Sequence, residues 1–140
     1  MNSVPTLVRF VRQSGHHPDC SVSMLAMFAG VMYEDALLAA AKANPHVLKE
    51  GMTWAQIRKA ARYLGLKTRI VKTYDADEST GILHVSRVAL GLGPMSEHVV
   101  FLWEGRVIDG DGELWLTTSD YLRHYGYEAK GLLVSVEESE

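Results

Sequence analysis

The sequence predicts one α+β domain in which N-terminal helices pack on a C-terminal antiparallel sheet. Helical patterns occupy the chain up to about residue 65, whereas short apolar segments separated by turn residues occupy the remainder. A block of helices followed by a block of strands is typical of α+β folds, and a short turn such as Glu104-Gly105 predicts a hairpin. With 140 residues and no internal repeat or linker, we expect residues 1–140 to form a single domain.

The central helix is predicted to begin at Cys20, which is the only cysteine of the chain. Asp19 is a good N-cap residue, because its side chain can accept hydrogen bonds from backbone N–H groups of the first turn. Apolar residues then cover every face of the segment. Such a helix is enclosed by protein on all sides, and Gly30 is expected to end it.

Two further helices are predicted before the strands begin. Tyr33–Ala43 is rich in strong helix formers, and the Asn-Pro pair that follows it stops a helix. Another helix is expected over about residues 54–64. Thr53 and Gln56 fit a capping box at its start, apolar residues follow at helical spacing, and Gly65 supplies the C-terminal turn.

The pattern changes to strands and turns from residue 67 onward. The polar run 75–80 is predicted to be a loop, and Ser119 is predicted to cap a short helix that ends at Tyr125. Residues 1–12 hold an apolar run that fits an edge strand or an extended arm, and the acidic tail 137–140 is expected to fray. The predicted strands are residues 68–74, 82–85, 98–103, 106–109, 113–117 and 131–136.

Composition and charge argue against several classes of function. Hydrophobic residues make up 47% of the chain and charged residues 22%, which is typical of a globular protein. The net charge of -3 argues against a nucleic-acid partner, whose binding site is marked by a basic stripe. The sequence has neither an apolar stretch long enough for a membrane segment nor the pattern of a signal peptide. A single cysteine excludes an internal disulfide framework, so we expect a cytoplasmic protein.

A cysteine at a helix N-terminus is a candidate nucleophile. The N–H groups and the positive end of the helix dipole favour its thiolate over its thiol. A lone cysteine is also commonly a small buried hydrophobic residue. Gln13, seven residues before Cys20, favours the first interpretation. Its side-chain N–H and the backbone N–H of Cys20 would stabilise an oxyanion together.

A base and an orienting acid are expected at the hairpin. His98 begins one predicted strand, and Asp109 ends the strand that returns from the turn. Residues whose numbers sum to about 208 should face one another across this turn, so the two side chains can meet directly or diagonally. Asp109 would then orient the ring of His98. The candidate catalytic residues are therefore Cys20, His98, Asp109 and Gln13.

These residues resemble the bacteriocin-processing, double-glycine leader peptidases, a family of papain-like cysteine peptidases. That family has a Gln shortly before an Asp-Cys pair that opens an apolar helix, then a Gly-x-(Ser/Thr) helix ending in Ala-x-x-x-Gly-Leu. A His-led hydrophobic strand follows, with an Asp about ten residues on. The matching positions are Gln13, Asp19-Cys20, residues 51–66, His98 and Asp109, within about residues 10–136. The resemblance implies a papain-like fold and hydrolysis of a peptide bond.

The chain departs from the family pattern at two positions. Ser21 follows the cysteine where the family usually has Gly, and Gly110 follows the aspartate where the family usually has Pro. Neither residue replaces a group that performs chemistry, but both can alter the shape of the cleft. Members of the family are typically fused to a membrane transporter, whereas we expect this chain to be a stand-alone domain.

Other assignments of the polar residues stay open. His16 and His17 could bind a metal with Cys20, although zinc normally needs three or four well-spaced ligands. His84 is a second candidate for the base, and Asp111 is a second candidate for the orienting acid. The loop 91–94 is expected to border the site or to be an ordinary connector. The residues expected at the surface are His46 and His124, and those expected in the core or cleft walls are Trp54, Trp103 and Trp115.

The expected function is that of a hydrolase, a thiol protease that acts on a peptide or protein substrate and needs no metal or organic cofactor. The same triad could instead direct its acyl-enzyme to deamidation, transglutamination or isopeptide cleavage. A further alternative is a peptidase-like module that binds a peptide or partner protein without turnover.

Overall fold

The computed structural model describes residues 20–87, 96–110 and 112–136. The helices are α1 (Cys20–Ala29), α2 (Tyr33–Ala43), α3 (Val47–Glu50), α4 (Trp54–Tyr63) and α5 (Thr118–Tyr125). The strands are β1 (Thr68–Val71), β2 (Thr80–Arg87), β3 (Ser96–Trp103), β4 (Arg106–Ile108), β5 (Leu114–Trp115) and β6 (Glu128–Ser135). The described chain is α+β, with helices packed against one six-stranded antiparallel sheet in the order β1-β6-β2-β3-β4-β5. The predicted fold class is confirmed at this level.

Four features predicted from the sequence lie outside the described residues. They are the arm or edge strand of residues 1–12, the Asp19 cap, the loop 91–94 and the tail 137–140.

Helix α1 lies in the core on one face of the sheet, where it packs against α2, α4, β2 and β3. It begins at Cys20 and stops before Gly30, whose φ of 70° is the left-handed conformation that ends many helices. Residues 21–27 are buried, whereas Phe28 and Ala29 are only half-buried. The predicted enclosure on all sides therefore holds for most of the helix but not for its last two residues.

Helices α2 and α4 confirm the sequence predictions closely. Helix α2 has the predicted bounds. Helix α4 begins with the predicted capping box: Thr53 Oγ1 accepts from the backbone N–H of Gln56 over 3.2 Å, and Gln56 Oε1 accepts from the backbone N–H of Thr53 over 3.0 Å. These two bonds satisfy backbone donors that a helix start would otherwise leave unpaired.

The single-turn helix α3 was not predicted. The buried Asn44 organises it, because its Oδ1 accepts from the backbone N–H of His46 over 3.0 Å and its Nδ2 donates to the carbonyl of Gly51 over 3.0 Å. A side chain that bonds both ends of a short segment favours a closed turn there.

Strand lengths differ from the predictions because pairing, and not local hydrophobicity, sets them. Strand β2 begins at Thr80 and continues to Arg87, since it pairs with β3 along its whole length and with β6 along part of it. Strand β1 stops at Val71, where its pairing with β6 ends. The polar residues at strand ends thus carry ladder hydrogen bonds that composition does not reveal.

The hairpin between β3 and β4 has the predicted turn. Glu104 and Gly105 have φ values of 47° and 89°, the pair of positive angles that a type I′ turn requires. Trp103 pairs with Arg106, which shifts the register by one residue from the predicted one. Strand β4 ends at Ile108, so Asp109 follows the strand instead of closing it.

Helix α5 is capped by Thr117 and not by Ser119, which corrects the sequence prediction. Thr117 Oγ1 accepts from the backbone N–H of Asp120 over 3.2 Å. Thr118 Oγ1 donates to the carbonyl of Gly105 over 2.9 Å and thereby fastens the first turn of α5 to the hairpin. This tertiary contact explains why the helix begins earlier than predicted.

The sheet separates two apolar clusters. The cluster on the α1 and α4 side includes Ile82 and Phe101, and the cluster on the α5 side includes Val85 and Tyr121.

Among the described residues no single helix is long and apolar enough to cross a bilayer. The helical segments Ser21–Ala29 and Tyr33–Ala43 meet the criteria of length and composition only when they are taken together, and the pair is bent by 118° at its junction.

Candidate active site

His98 and Asp109 are in hydrogen-bond contact near one end of the sheet. The Nε2 atom of His98 lies 2.9 Å from Oδ1 of Asp109, and the two side chains are only 22% and 14% exposed. His98 lies near the start of β3, and Asp109 directly follows β4, which pairs with β3 across the turn. The hairpin therefore brings these two residues together, despite the shift in register.

The carboxylate of Asp109 accepts two further hydrogen bonds. Tyr121 Oη donates to Oδ2 over 3.0 Å, and the backbone N–H of Gly110 donates to Oδ1 over 2.7 Å. Burial by itself raises the pKa of Asp109, but the bond and charge of His98, helped by these donors, outweigh burial and hold that pKa below its ordinary value. Asp109 is therefore ionised at neutral pH, so the Nε2–H of His98 is the donor in their contact.

Aromatic rings support this pair on the α5 side of the sheet. The ring of Tyr127 stacks on His98 with centroids 6.2 Å apart, and on Tyr121 with centroids 5.9 Å apart. Burial, followed by the charge of Asp109, raises the pKa of the wholly buried Tyr121 far above its ordinary value. Its phenol therefore stays protonated and donates to Asp109. The imidazole is held at one edge by the carboxylate and on one face by Tyr127.

A cavity of about 470 Å³ opens beside His98, on the side of α1 and α4. Ser21 of α1 and His98 of β3 both line it, together with Trp54 at the start of α4. Ser21 directly follows Cys20, the first residue of α1. The beginning of α1 and residue His98 thus border one cavity, whose walls are otherwise largely apolar.

His84, the alternative base, lines the same cavity but is bonded to an indole. Trp54 Nε1 donates to Nδ1 of His84 over 3.1 Å, and the two rings meet edge to face at 5.5 Å. An indole N–H can only donate, so Nδ1 of His84 is the acceptor in this contact. The carboxylate of Asp109 faces His98, so the geometry favours His98 over His84 as the base of an acid–imidazole pair.

Other candidate residues lie outside the described part of the chain. These are Gln13, His16, His17 and Asp111. Within the described ranges no group of three or more His, Cys, Asp or Glu side chains is arranged to hold a metal ion. His46 and His124 are exposed, as expected, and the three tryptophans are half-buried, with Trp54 in the cavity wall.

Two residues of the site were not identified from the sequence. Tyr121 of α5 contacts Asp109, and Tyr127, the residue before β6, stacks on His98. The feature of the sequence that could have indicated them is the density of aromatic residues between positions 115 and 127. That density predicts a local aromatic cluster, but it does not say which acid the phenols contact.

Comparisons with known proteins identify no relative of this chain. No family model matches the chain, no curated protein matches it, and no solved structure matches it.

Proposed function

We propose that this chain is a papain-like cysteine peptidase that hydrolyses a peptide bond. The observation that carries the proposal is the bond between His98 and Asp109 at the edge of the cavity that the beginning of α1 also borders. An ionised carboxylate on one ring nitrogen fixes the tautomer and orientation of an imidazole, which can then exchange protons through its other nitrogen. The proposed catalytic residues are Cys20, His98, Asp109 and Gln13.

Acylation begins when the thiolate of Cys20, favoured by the N-terminus of α1, attacks the carbonyl carbon of the substrate. A C–S bond forms, and the carbonyl oxygen becomes an oxyanion that accepts hydrogen bonds from the Cys20 backbone and the Gln13 side chain. The carbonyl then re-forms as the C–N bond breaks. Protonated His98 gives its proton to the leaving amine, and a thioester on Cys20 remains.

Deacylation reverses the roles of the same groups. Neutral His98 removes a proton from water, whose oxygen attacks the thioester carbon. The C–S bond breaks, the carboxylic acid product leaves, and Cys20 and His98 return as a thiolate and an imidazolium. Asp109 stays ionised throughout and orients the ring. No step of this scheme requires a metal or an organic cofactor.

The proposed substrate is a peptide or protein, as in the double-glycine leader peptidases that the motifs resemble. A cavity with largely apolar walls and a few polar lining residues is suited to a peptide side chain beside the scissile bond. The order of Gln13, Cys20, His98 and Asp109 along the chain supports the same family.

Alkylation of the thiol tests the catalytic pair directly. We expect iodoacetamide to label Cys20 stoichiometrically at neutral pH, as read by intact mass. His98→Ala should slow labelling by at least about tenfold, because the imidazole supports the thiolate. His84→Ala is the matched control, since it removes the other imidazole of the same cavity. Slow labelling that is indifferent to His98 would contradict the proposal and favour a binding module.

A peptide library incubated with and without an added amine distinguishes hydrolysis from acyl transfer. Hydrolysis predicts cut peptides that carry a new carboxylate, and Cys20→Ala should abolish them. Amine-linked products without cut peptides would replace the peptidase assignment with a transferase one.

A further inference from the structure

A second groove, of about 320 Å³, adjoins the cavity beside His98. Trp54 and His84 line both spaces and form their common wall. We name the second space the cationic groove and define it by Trp54, Ile70, Lys72, His84, Ser86 and Lys130. A peptide bound at His98 can therefore extend past Trp54 and His84 into this groove.

A β-bulge turns Lys130 toward the cationic groove. His84 pairs with Gly131, whereas the next residue of β2, Val85, pairs with Ala129. Lys130 is thus an extra residue on β6 with no partner on β2. Such a bulge breaks the alternation of side chains between the two faces of a sheet and re-aims the inserted residue. The register explains why Lys130 shares the face of His84 and lines the groove.

Ser86 contributes a hydroxyl group that has no hydrogen-bond partner within the described part of the chain. Its side chain is completely buried, and its hydroxyl finds no hydrogen-bond partner there. A buried hydroxyl without a partner is unfavourable and is rare in native proteins. A ligand atom in the groove, reached by a small movement of the neighbouring side chains, would satisfy it.

The groove carries positive charge in a chain whose net charge is -3. Lys72 and Lys130 are its charged lining residues. Lys130 Nζ lies 3.1 Å from Oε2 of Glu128, but this pair is exposed and contributes little. A bound anion can therefore replace Glu128 as the partner of Lys130.

We propose that the cationic groove is a subsite for a carboxylate of the bound peptide, held by Lys72, Lys130 and the hydroxyl of Ser86. The proposal rests on the proposed peptidase function, because the groove adjoins the proposed catalytic cavity, and this makes a peptide the ligand. The carboxylate is either an acidic side chain at a fixed distance from the scissile bond or the C-terminal carboxylate of the peptide.

Capture of short peptides on the full chain carrying Cys20→Ala tests the subsite without turnover. The probe is a positional library in which Glu or Gln is fixed at each position in turn, prepared both as free acids and as C-terminal amides. We expect Glu to be enriched over Gln at one position by about three- to tenfold, and less at high salt. Enrichment of free acids over amides, with no preferred Glu position, would identify the C-terminal carboxylate as the source.

Lysine and serine variants connect this preference to the groove. Lys130→Gln and Lys72→Gln should abolish the carboxylate preference. Lys59→Gln should retain this preference, because Lys59 is an exposed lysine of α4 that borders a different depression. Ser86→Ala should weaken it without lowering the unfolding midpoint, since the hydroxyl makes no internal bond within the described residues. Ser23→Ala, another buried unpaired serine of that part of the chain, is the matched control.

The two proposals fail in different ways. Absence of captured peptides, absence of any carboxylate preference, or a preference unchanged in both lysine variants would overturn the subsite. A second combination of results is a carboxylate preference that depends on Lys130 together with slow labelling of Cys20 that does not depend on His98. This combination would support the subsite and contradict the peptidase function.

Discussion

The phenol of Tyr121 donates a 3.0 Å hydrogen bond to Oδ2 of Asp109, the carboxylate whose other oxygen contacts His98. Tyr121 is completely buried on α5, at the far side of the sheet from α1. Both carboxylate oxygens are therefore fixed, and Asp109 cannot rotate away from the imidazole without losing a second bond. Helix α5 thus connects the packing of one face of the sheet to the geometry of the candidate site.

Tyr121→Phe should lower both stability and activity. Removing the donor leaves a largely buried carboxylate oxygen short of a hydrogen bond, which should reduce the free energy of unfolding by about 1–3 kcal/mol. The less constrained carboxylate should reduce peptide turnover by about tenfold, since small misplacements of catalytic groups slow reactions strongly. Urea unfolding and steady-state kinetics measure the two effects.

Tyr125→Phe is the matched control for this change. It removes a phenol one turn further along α5, whose 2.6 Å bond goes to Glu113 and not to Asp109. In an Asp109→Asn background the kinetic effect of Tyr121→Phe should vanish, because the tyrosine acts through that carboxylate. Equal kinetic losses in both tyrosine variants, or a loss that persists in the Asp109→Asn background, would contradict the assigned role.

Asp109 should make stability depend on pH in the acid range. Its pKa is lower in the folded protein than in the unfolded chain, so the unfolded chain binds the proton more readily. The contribution of Asp109 to the free energy of unfolding is therefore complete above its pKa in the unfolded chain, about 4. This contribution is lost as the pH falls through the lower pKa of the folded protein. The difference in unfolding free energy between the wild type and Asp109→Asn should shrink as the pH falls below about 4. Urea titrations at several pH values around and below that pH measure it, and a difference that grows over this range would contradict the prediction.

The elements predicted best from the sequence are those whose bounds local chemistry sets. The capping pair Thr53 and Gln56 fixes the start of α4, and the Asn-Pro pair after α2 fixes its end. Glu104-Gly105 gives the hairpin, and with it the meeting of His98 and Asp109. Each of these signals acts within a few residues, so it is readable without tertiary structure.

Features that depend on tertiary contacts were missed or misplaced. Thr117 and Ser119 are both acceptable caps for α5, and the bond from Thr118 to the hairpin decides between them. The contact of Tyr121 with Asp109 depends on how α5 docks on the sheet. The extra residue at Lys130 arises from pairing between distant strands. None of these choices is encoded within a single local segment.

Thr53→Ala should destabilise the protein through the start of α4. The substitution removes the acceptor for the backbone N–H of Gln56 and should cost about 1 kcal/mol of unfolding free energy, as other N-cap losses do. Thr73→Ala, at an exposed bend after β1, should change it by less than about 0.5 kcal/mol. Urea unfolding compares the two variants, and equal effects would show that the capping box contributes nothing specific.

Ser21 and Ser23 offer a matched pair on α1, because both are buried and both hydroxyls lack a partner in the described part of the chain. Replacing either by Ala removes an unsatisfied polar group and improves helix propensity, so the free energy of unfolding should stay constant or rise by up to about 1 kcal/mol. Of these two serines only Ser21 lines the cavity beside His98, at the position where the leader peptidases usually have Gly. We expect a bound peptide to reach the Ser21 hydroxyl after a small movement of the neighbouring side chains, so Ser21→Ala should raise KM for peptide cleavage while Ser23→Ala leaves it unchanged. Identical KM values in both variants would exclude contact between the substrate and Ser21. A decrease in the free energy of unfolding of more than about 1 kcal/mol would mean that the hydroxyl has an internal structural role.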